Sequence, residues 1–512
     1  MRGKGDKKVK EEKRVLVLGL DGASMDLIKK FAIEGKLPTF YRLMSEGSYG
    51  YMESVIPTMT IPAWNCLTTG KNMGKIGCFS FIQKAYRSYD FRLYTSLVRK
   101  EEDIWDILSD YGNRVFVFNP SNVQAAYKIN GWMVAGCLCT SEDKLTYPRN
   151  LKEELYNMGY ERDITDLRTL GALSDREHTR RHKEITAKHF KVLFHFLKKE
   201  WKFGFFVLNE LDRVQHRFWN KKSVIISHYQ NIDRKLGELL RRLEKDNTEN
   251  TIIIVSDHGF GPNKTTFHIN EWLIRRNLMK IKREFSLDFV RIFASILKEP
   301  VILKTLRPLM RFSLIRRMYQ GIFLTTGRTP IEWEKTKAFS YGTFGTIYIN
   351  LEGREPQGTV KEEEYEKLRT EIIEGLREVS VKAFRREEIY HGEYLYLSPD
   401  IIIQTDENIN SISSRVGYNR YFSEGSGGAH NRKNATFIAW GADIKENFEI
   451  RTSVYDVAPT ILHIFGIPIP RDMDGRVLKE IFKGELAMRG VRYARAEERR
   501  VRKRIKKLKN RI

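Results

Sequence analysis

The sequence predicts an α/β protein: a three-layer α/β/α sandwich around a mostly parallel sheet. Two patterns carry that expectation. Short uninterrupted apolar runs end abruptly in polar or glycine residues, as strands buried on both faces do. Between them lie stretches with helical apolar spacing, the alternation expected of βαβ units. A third observation bears on function. Several runs are followed at once by Asp or His, and ligand sites of open α/β sheets lie beyond the carboxyl ends of the strands.

Taken in order, the first run is VLVLGL at 15–20, followed by Asp21. VFVF at 115–118 is the second. A helical pattern over 185–201 leads to FGFFVL at 203–208, after which NELDRVQH carries Asp212 and His216. A second helical pattern, 232–243 with Leu236, Leu239, Leu240 and Leu243, precedes TIIIV at 251–255, and SDHG then brings Asp257 and His258. Ile401 to Ile403 and the run at 435–440 (ATFIAW) complete the set, both expected as buried parallel strands. GGAH just before the last run places His430 in a glycine-rich loop at or near the sheet edge.

At 512 residues, with 41% hydrophobic and 12% aromatic content, the chain builds a large core, which excludes global disorder and a small stapled scaffold. The formal charge of +24 first suggests nucleic acid or a membrane surface as a partner. Residues 1–14, 272–330 and 485–512 carry +4, +10 and +9 of it, so the body is nearly neutral. Any polyanion or membrane contact is therefore expected of those segments. Cys66, Cys78, Cys137 and Cys139 lack zinc-knuckle spacing and read as buried small residues in a reducing compartment. The first apolar run is too short for a signal peptide or membrane span, so a cytoplasmic protein is expected.

The domain organisation follows. A basic extension (1–14) precedes one discontinuous catalytic domain (15–271 and 331–484), which is interrupted by a basic amphipathic insert (272–330) and followed by a basic tail (485–512). Because candidate ligands lie on both sides of the insert, it cannot separate two catalytic domains. A cap over the site is expected of it, with packing or a subunit contact as the plainer alternative.

Asp and His together suit borderline divalent cations, zinc or manganese. Asp212 and His216, four apart, share one face of a helical turn. Asp257 and His258 are adjacent, so both reach one cavity only by leaving the strand in a turn, which Gly259 permits. Taken singly the pairs are weak signals, and an Asp-His dipeptide in a loop is more often structural than functional. The other eight histidines, among them His182, His189 and His195, read as core or surface residues.

Thr60 lies in PTMTIPAWNCLTTGKNMGKIG, residues 57–77. Pro62 marks the first turn of a helix, so Thr60 sits at its N-terminus. It reads in two ways: as an N-cap hydroxyl, or as a nucleophile at a point where the helix favours a phosphoryl anion and a divalent metal would ease its deprotonation.

Together GLDG (19–22), the Thr60 stretch, ELDRVQH, VSDHGF, GGAHN and SVYDVAPTILHIFGIPIPRDMDGRVL (453–478) resemble the alkaline phosphatase superfamily. Within it the chain is most similar to the type I phosphodiesterase/nucleotide pyrophosphatase family, especially its archaeal-type members. The motifs keep their order across almost the whole body. The resemblance implies an alkaline-phosphatase-like fold and two divalent ions, zinc or else manganese. It implies that Asp21, Thr60, Asp257 and His258 hold one ion and Asp212, His216 and His430 the other. Phosphoryl transfer would proceed through a phosphothreonine at Thr60, on a phosphodiester or nucleotide-pyrophosphate-like small molecule.

The chain departs from the family where Met73 and Ile76 replace a frequent proline and histidine, and where Phe81 stands in place of a phosphate-contacting asparagine. A sulfatase is excluded, because Thr60 cannot become formylglycine. A phosphomonoesterase or phosphoglycerate-mutase-like enzyme is the alternative within the superfamily, the latter ranking lower because it generally uses serine. The alternative from another class is a nucleic-acid or membrane-surface binding protein with a vestigial hydrolase body.

Overall fold

In a computed structural model of the chain, described for residues 13–94, 101–163, 173–246, 248–282, 331–405 and 408–495, the centre is a nine-stranded sheet. Its strands in chain order are β1 (Arg14–Leu20), β2 (Ser48–Glu53), β3 (Val115–Phe118), β4 (Gly131–Val134), β5 (Thr146–Tyr147), β6 (Phe203–Leu208), β7 (Asn250–Val255), β8 (Ala435–Trp440) and β9 (Phe448–Ser453). They lie in the order β9-β2-β8-β7-β1-β6-β3-β4-β5. Only β8 and β5 run against the rest. β1 pairs in parallel with both β6 and β7, Leu20 opposite Leu208 and Gly19 opposite Val255, so three strand ends finish side by side.

Alternation explains the uninterrupted runs. Val15, Val17, Val117, Phe205, Val207, Ile253 and Val255 point to one face, and Leu16, Leu18, Phe116, Phe206, Ile252 and Ile254 to the other; both faces are buried. The first face is covered by α1 (Thr60–Thr69) with helices Ile104–Asp110 and Val457–Ile464. The second is covered by helices Met25–Ile33 and Pro38–Ser45, then by α2 (Asp175–Phe196), α3 (Glu210–Phe218) and α4 (Lys222–Glu244). This is the expected three-layer sandwich.

Two strand expectations need correction. Residues 435–440 enter the central sheet antiparallel, between β2 and β7. Ile401–Gln404 is not in that sheet at all. It is an inner strand of a four-stranded antiparallel sheet with Ala338–Ser340, Thr346–Ile349 and Lys382–Arg385, and helix Glu362–Glu378 belongs to the same apolar cluster. A run of isoleucines buried on both sides looks the same in either sheet. Buried Asp400 braces this lobe, taking both arms of Arg354 (2.7 Å each) and the Tyr365 hydroxyl (2.6 Å).

Parts of the segments expected as insert and tail pack with the body. Trp272 is buried in the lobe's apolar cluster, and Ile281 bridges Ile331, so the excursion leaves and returns through adjacent backbone. The cap expected within 272–330 falls mostly on residues outside the described set, as do 1–12 and 496–512. Residues 485–495 are not a free tail. Leu486 and Ala494 are buried, and Arg489 donates to the carbonyls of His463 (3.0 Å) and Ile464 (3.1 Å) at the end of helix Val457–Ile464. All four cysteines are buried and none is in a disulfide among the described residues. Among the described residues no helix is long and apolar enough to cross a membrane.

Candidate active site

The ends of β1, β6 and β7 deliver Asp21, the start of α3, and Asp257 with His258 to one place. α3 begins at Glu210, which sets Asp212 and His216 one turn apart on the same face. His430 arrives on a two-stranded antiparallel ribbon, Gly259–Pro262 with Gly428–Asn431, where it lies opposite Phe260. The sequence expectation of a glycine-rich loop for His430 is thus replaced by a strand laid directly against the chain leaving His258. Close approach demands the glycines. A Cβ on Gly427, at φ +73°, would come within 2.0 Å of the His216 carbonyl oxygen.

Thr60 is the first residue of α1. Met59 occupies the N-cap position in extended conformation and makes no side-chain cap bond. The N-cap reading of Thr60 therefore fails: its Oγ1 is instead 3.3 Å from His258 Nε2, at the wall of the cavity. All seven sequence-predicted residues are brought together. His258 Nε2 is 3.3 Å from Asp257 Oδ2 and 3.7 Å from Asp21 Oδ1. Asp212 Oδ1 is 3.2 Å from His430 Nε2 and 3.3 Å from His216 Nε2. The His258 and His430 rings stack at 3.6 Å.

The proton positions follow from the acceptors. Nδ1 of His216, His258 and His430 contacts the carbonyl oxygens of Gly428 (3.0 Å), Gly259 (3.0 Å) and Thr58 (3.2 Å). A carbonyl only accepts, so each Nδ1 carries hydrogen and each Nε2 is free to offer its lone pair to the centre, the arrangement metal-ligating histidines adopt. The carboxylates match. Asp21 Oδ1, Asp212 Oδ1 and Asp257 Oδ2 are buried and accept no well-aligned hydrogen bond. Buried oxygens without donors are costly unless a cation satisfies them, so these residues fit divalent ions. The groups Asp21, Asp257, His258 and Asp212, His258, His430 each bring ligand atoms within 4.8 Å of one another.

Electrostatics point the same way. With only the protein's own charges facing one another, burial and the neighbouring Asp257 and Asp212 push the Asp21 carboxyl well above the usual range. Burial and Asp212 raise Asp257 likewise. For Asp212 burial is outweighed by His216 and His430, which hold it well below the usual range. Burial and His430 keep His258 well below an ordinary histidine. The site is a concentrated field for positive charge.

Supporting residues were not foreseen. Trp64, one turn after Thr60, donates its indole N–H to Asp21 Oδ2 (3.2 Å), and Ser54 holds the Asp257 carbonyl (2.5 Å). The i, i+4 spacing of Thr60 and Trp64 was a readable signal; Ser54 had none. In front of Thr60 opens a cavity of about 890 Å³. Phe81 and Phe344 stack across it at 5.9 Å, and His268 stacks on Tyr418 at 3.9 Å. Arg415 and Arg420 also line it.

The chain matches the family described as type I phosphodiesterase/nucleotide pyrophosphatase over residues 15–430. No curated protein sequence matches it significantly. Among solved structures, human ectonucleotide pyrophosphatase/phosphodiesterase 5 is similar with TM-score 0.55 at 14% identity, covering 92% of this chain and all of that one. The murine counterpart, in an inactive threonine-to-alanine form in complex with AMP, gives 0.53 at 15% identity over 89% and 96%. Phosphonoacetate hydrolase from Sinorhizobium meliloti, in complex with phosphonoacetate, gives 0.55 at 15% identity over 88% and 94%.

Proposed function

The chain belongs to the type I phosphodiesterase/nucleotide pyrophosphatase family, and from that premise we propose that it is a two-metal phosphodiesterase with Thr60 as nucleophile. The cavity takes a small phosphodiester or a nucleotide-pyrophosphate-like molecule. One observation carries the reading: Thr60 Oγ1 stands 3.3 Å from His258 Nε2, beside three imidazole lone pairs and three orphaned carboxylate oxygens. The inactive threonine-to-alanine form of the murine relative, bound to AMP, supports both the threonine and a nucleotide-like ligand.

When bound, divalent cations of the zinc or manganese type, held by Asp21, Asp257 and His258 on one side and Asp212, His216 and His430 on the other, supply Lewis acidity that favours an ionised nucleophile and neutralises phosphoryl charge. The chain's own residues do the rest. Thr60 opens α1, so the positive end of the helix faces the phosphoryl group. Its Oγ attacks phosphorus, the bond to the leaving oxygen breaks, and water later releases the phosphoryl group from Thr60. Trp64 fixes Asp21, and the three Nδ1–H donors fix the imidazoles, so little reorganisation is needed during reaction.

The two aromatic pairs suit a planar arm on the substrate and Arg415 and Arg420 a second anionic group. A binding protein with a vestigial body is disfavoured, since nothing but catalysis requires a hydroxyl aimed at a complete ligand set.

The test is turnover of bis(p-nitrophenyl) phosphate with zinc or manganese. A panel of nucleotide sugars, dinucleotides, glycerophosphodiesters and simple monoesters follows. Diester cleavage abolished in Thr60→Ala is expected. Absence of turnover with either metal, or unchanged turnover in Thr60→Ala, overturns the proposal.

A further inference from the structure

Asp163, His189 and Glu210 form another cluster beneath the start of α3, separate from the seven residues around Thr60. Their side chains are 2%, 0% and 2% exposed, and each offers a ligand atom within 4.8 Å of the others. His189 Nε2 lies 2.9 Å from the Glu161 carbonyl oxygen, which only accepts, so Nε2 carries hydrogen and Nδ1 is left to point elsewhere. It points at Glu210, 3.1 Å from Oε1, without hydrogen-bonding alignment. Asp163 Oδ2 accepts the side-chain amides of Asn209 (2.7 Å) and Asn119 (2.9 Å), and its Oδ1 lies 3.7 Å from His189 Nε2, beyond hydrogen-bonding distance. That Oδ1 and both oxygens of Glu210 accept no well-aligned hydrogen bond.

We infer that Asp163, His189 and Glu210 bind a further divalent cation of the zinc or manganese type. The case rests on the pattern of satisfied and unsatisfied atoms. Each outward atom of the cluster is held by an amide or a carbonyl, as the outer contacts of metal ligands are. Each inward atom is bare. One imidazole nitrogen and two carboxylates are a borderline donor set. Buried carboxylate oxygens with no donor are costly unless a cation or a proton meets them. Arg213, half-buried beside them, acts electrostatically on Asp163 as well as on Asp21 and Asp212, so it offsets part of the negative charge without filling the bare positions.

The location gives such an ion a task. Asn209 and Glu210 form the first turn of α3, whose following residues are Asp212 and, one turn on, His216. His189 belongs to α2, and Asn119 follows β3. An ion here ties α2 and the end of β3 to the turn that presents Asp212. The competing occupant is a proton: an imidazolium at His189 between two carboxylates.

The inference does not depend on Thr60 being a nucleophile, and the experiment keeps the two apart. Chelator-treated protein is reloaded with zinc or with manganese, dialysed, and its metal content measured by mass spectrometry. Wild type is compared with Glu210→Gln, His189→Gln and the triple variant Asp21→Asn/Asp257→Asn/His430→Gln. Wild type is expected to hold one ion more per chain than Glu210→Gln or His189→Gln, and the triple variant to keep one ion that is lost when Glu210→Gln is added. Equal metal content in wild type and the two single variants overturns the inference and assigns the imidazolium. Should the single variants fail to fold, anomalous scattering at the metal edge from wild-type crystals decides. A peak between His189 Nδ1 and Glu210 supports the ion, and its absence in crystals loaded at the Thr60 centre overturns it.

Discussion

His216 and His430 present their Nε2 atoms to each other at 3.0 Å, while the Nδ1 of each is hydrogen-bonded to a main-chain carbonyl. Two imidazole lone pairs converging in this way, with Asp212 Oδ1 3.2 Å and 3.3 Å away, are at rest only around a positive charge. Folding and metal binding are therefore linked. At a free ion concentration about 100 times the dissociation constant, the linkage is worth ~2.7 kcal/mol. For a chain of 512 residues that is a rise in Tm on the order of 2–3 °C. A thermal melt with and without chelator measures it. His430→Ala is expected to remove most of the metal-dependent shift, and an unchanged shift would mean that the ion binds elsewhere.

Thr60 is a residue whose chemistry and structural roles separate cleanly. Since it supplies no cap bond to α1, Thr60→Ala is expected to change stability by no more than about 1 kcal/mol. The same change removes the oxygen proposed to attack phosphorus, so kcat is expected to fall by roughly 10³-fold or more. Thr60→Ser keeps measurable turnover. Rapid acid quench followed by phosphoamino-acid detection reads the intermediate directly; no phosphothreonine at any time point during turnover would refute covalent catalysis.

The approach of Gly427 to the His216 carbonyl makes the ribbon a geometric gauge for the site. Gly427→Ala meets both an unfavourable positive φ and a backbone oxygen 2.0 Å from its new Cβ. The strand carrying His430 must then move off α3. A displacement of about 1 Å at a reacting centre costs on the order of 10²-fold. We expect kcat/KM to drop by that amount while the circular dichroism spectrum stays native. A Gly35→Ala control has open space around its Cβ and lies away from the ribbon, so it isolates the effect of the close approach.

The sequence exposes most of this site for a physical reason. β1, β6 and β7 are buried on both faces, so they appear as unbroken apolar runs, and the residues that follow them include the candidate ligands Asp21, Asp212 and Asp257. What it conceals depends on long-range pairing. The register of Phe260 with His430, the assignment of Ile401–Gln404 to the second sheet and the packing of Leu486 and Ala494 leave no local periodicity. His189 is hidden for a different reason: on α2 its spacing is that of a core residue, and only the tertiary approach of Asp163 and Glu210 marks it.

The last prediction concerns acid. His182 on α2 and His228 on α4 are buried, and burial lowers both to about 3, with neighbouring positive groups adding to it. In the unfolded chain each titrates near 6.5. Below that pH the unfolded state binds protons that the folded state refuses, so stability falls as pH drops from about 6.5 toward 3 and is insensitive to these groups above. Each histidine contributes about 1.4 kcal/mol per pH unit within that window, and the two together roughly 3. Denaturant midpoints at pH 7.5 and 5.5 should therefore differ in wild type. In His182→Gln/His228→Gln that share of the slope should vanish. If the double variant loses stability on acidification as steeply as wild type, these histidines are already protonated in the fold and the argument from burial fails.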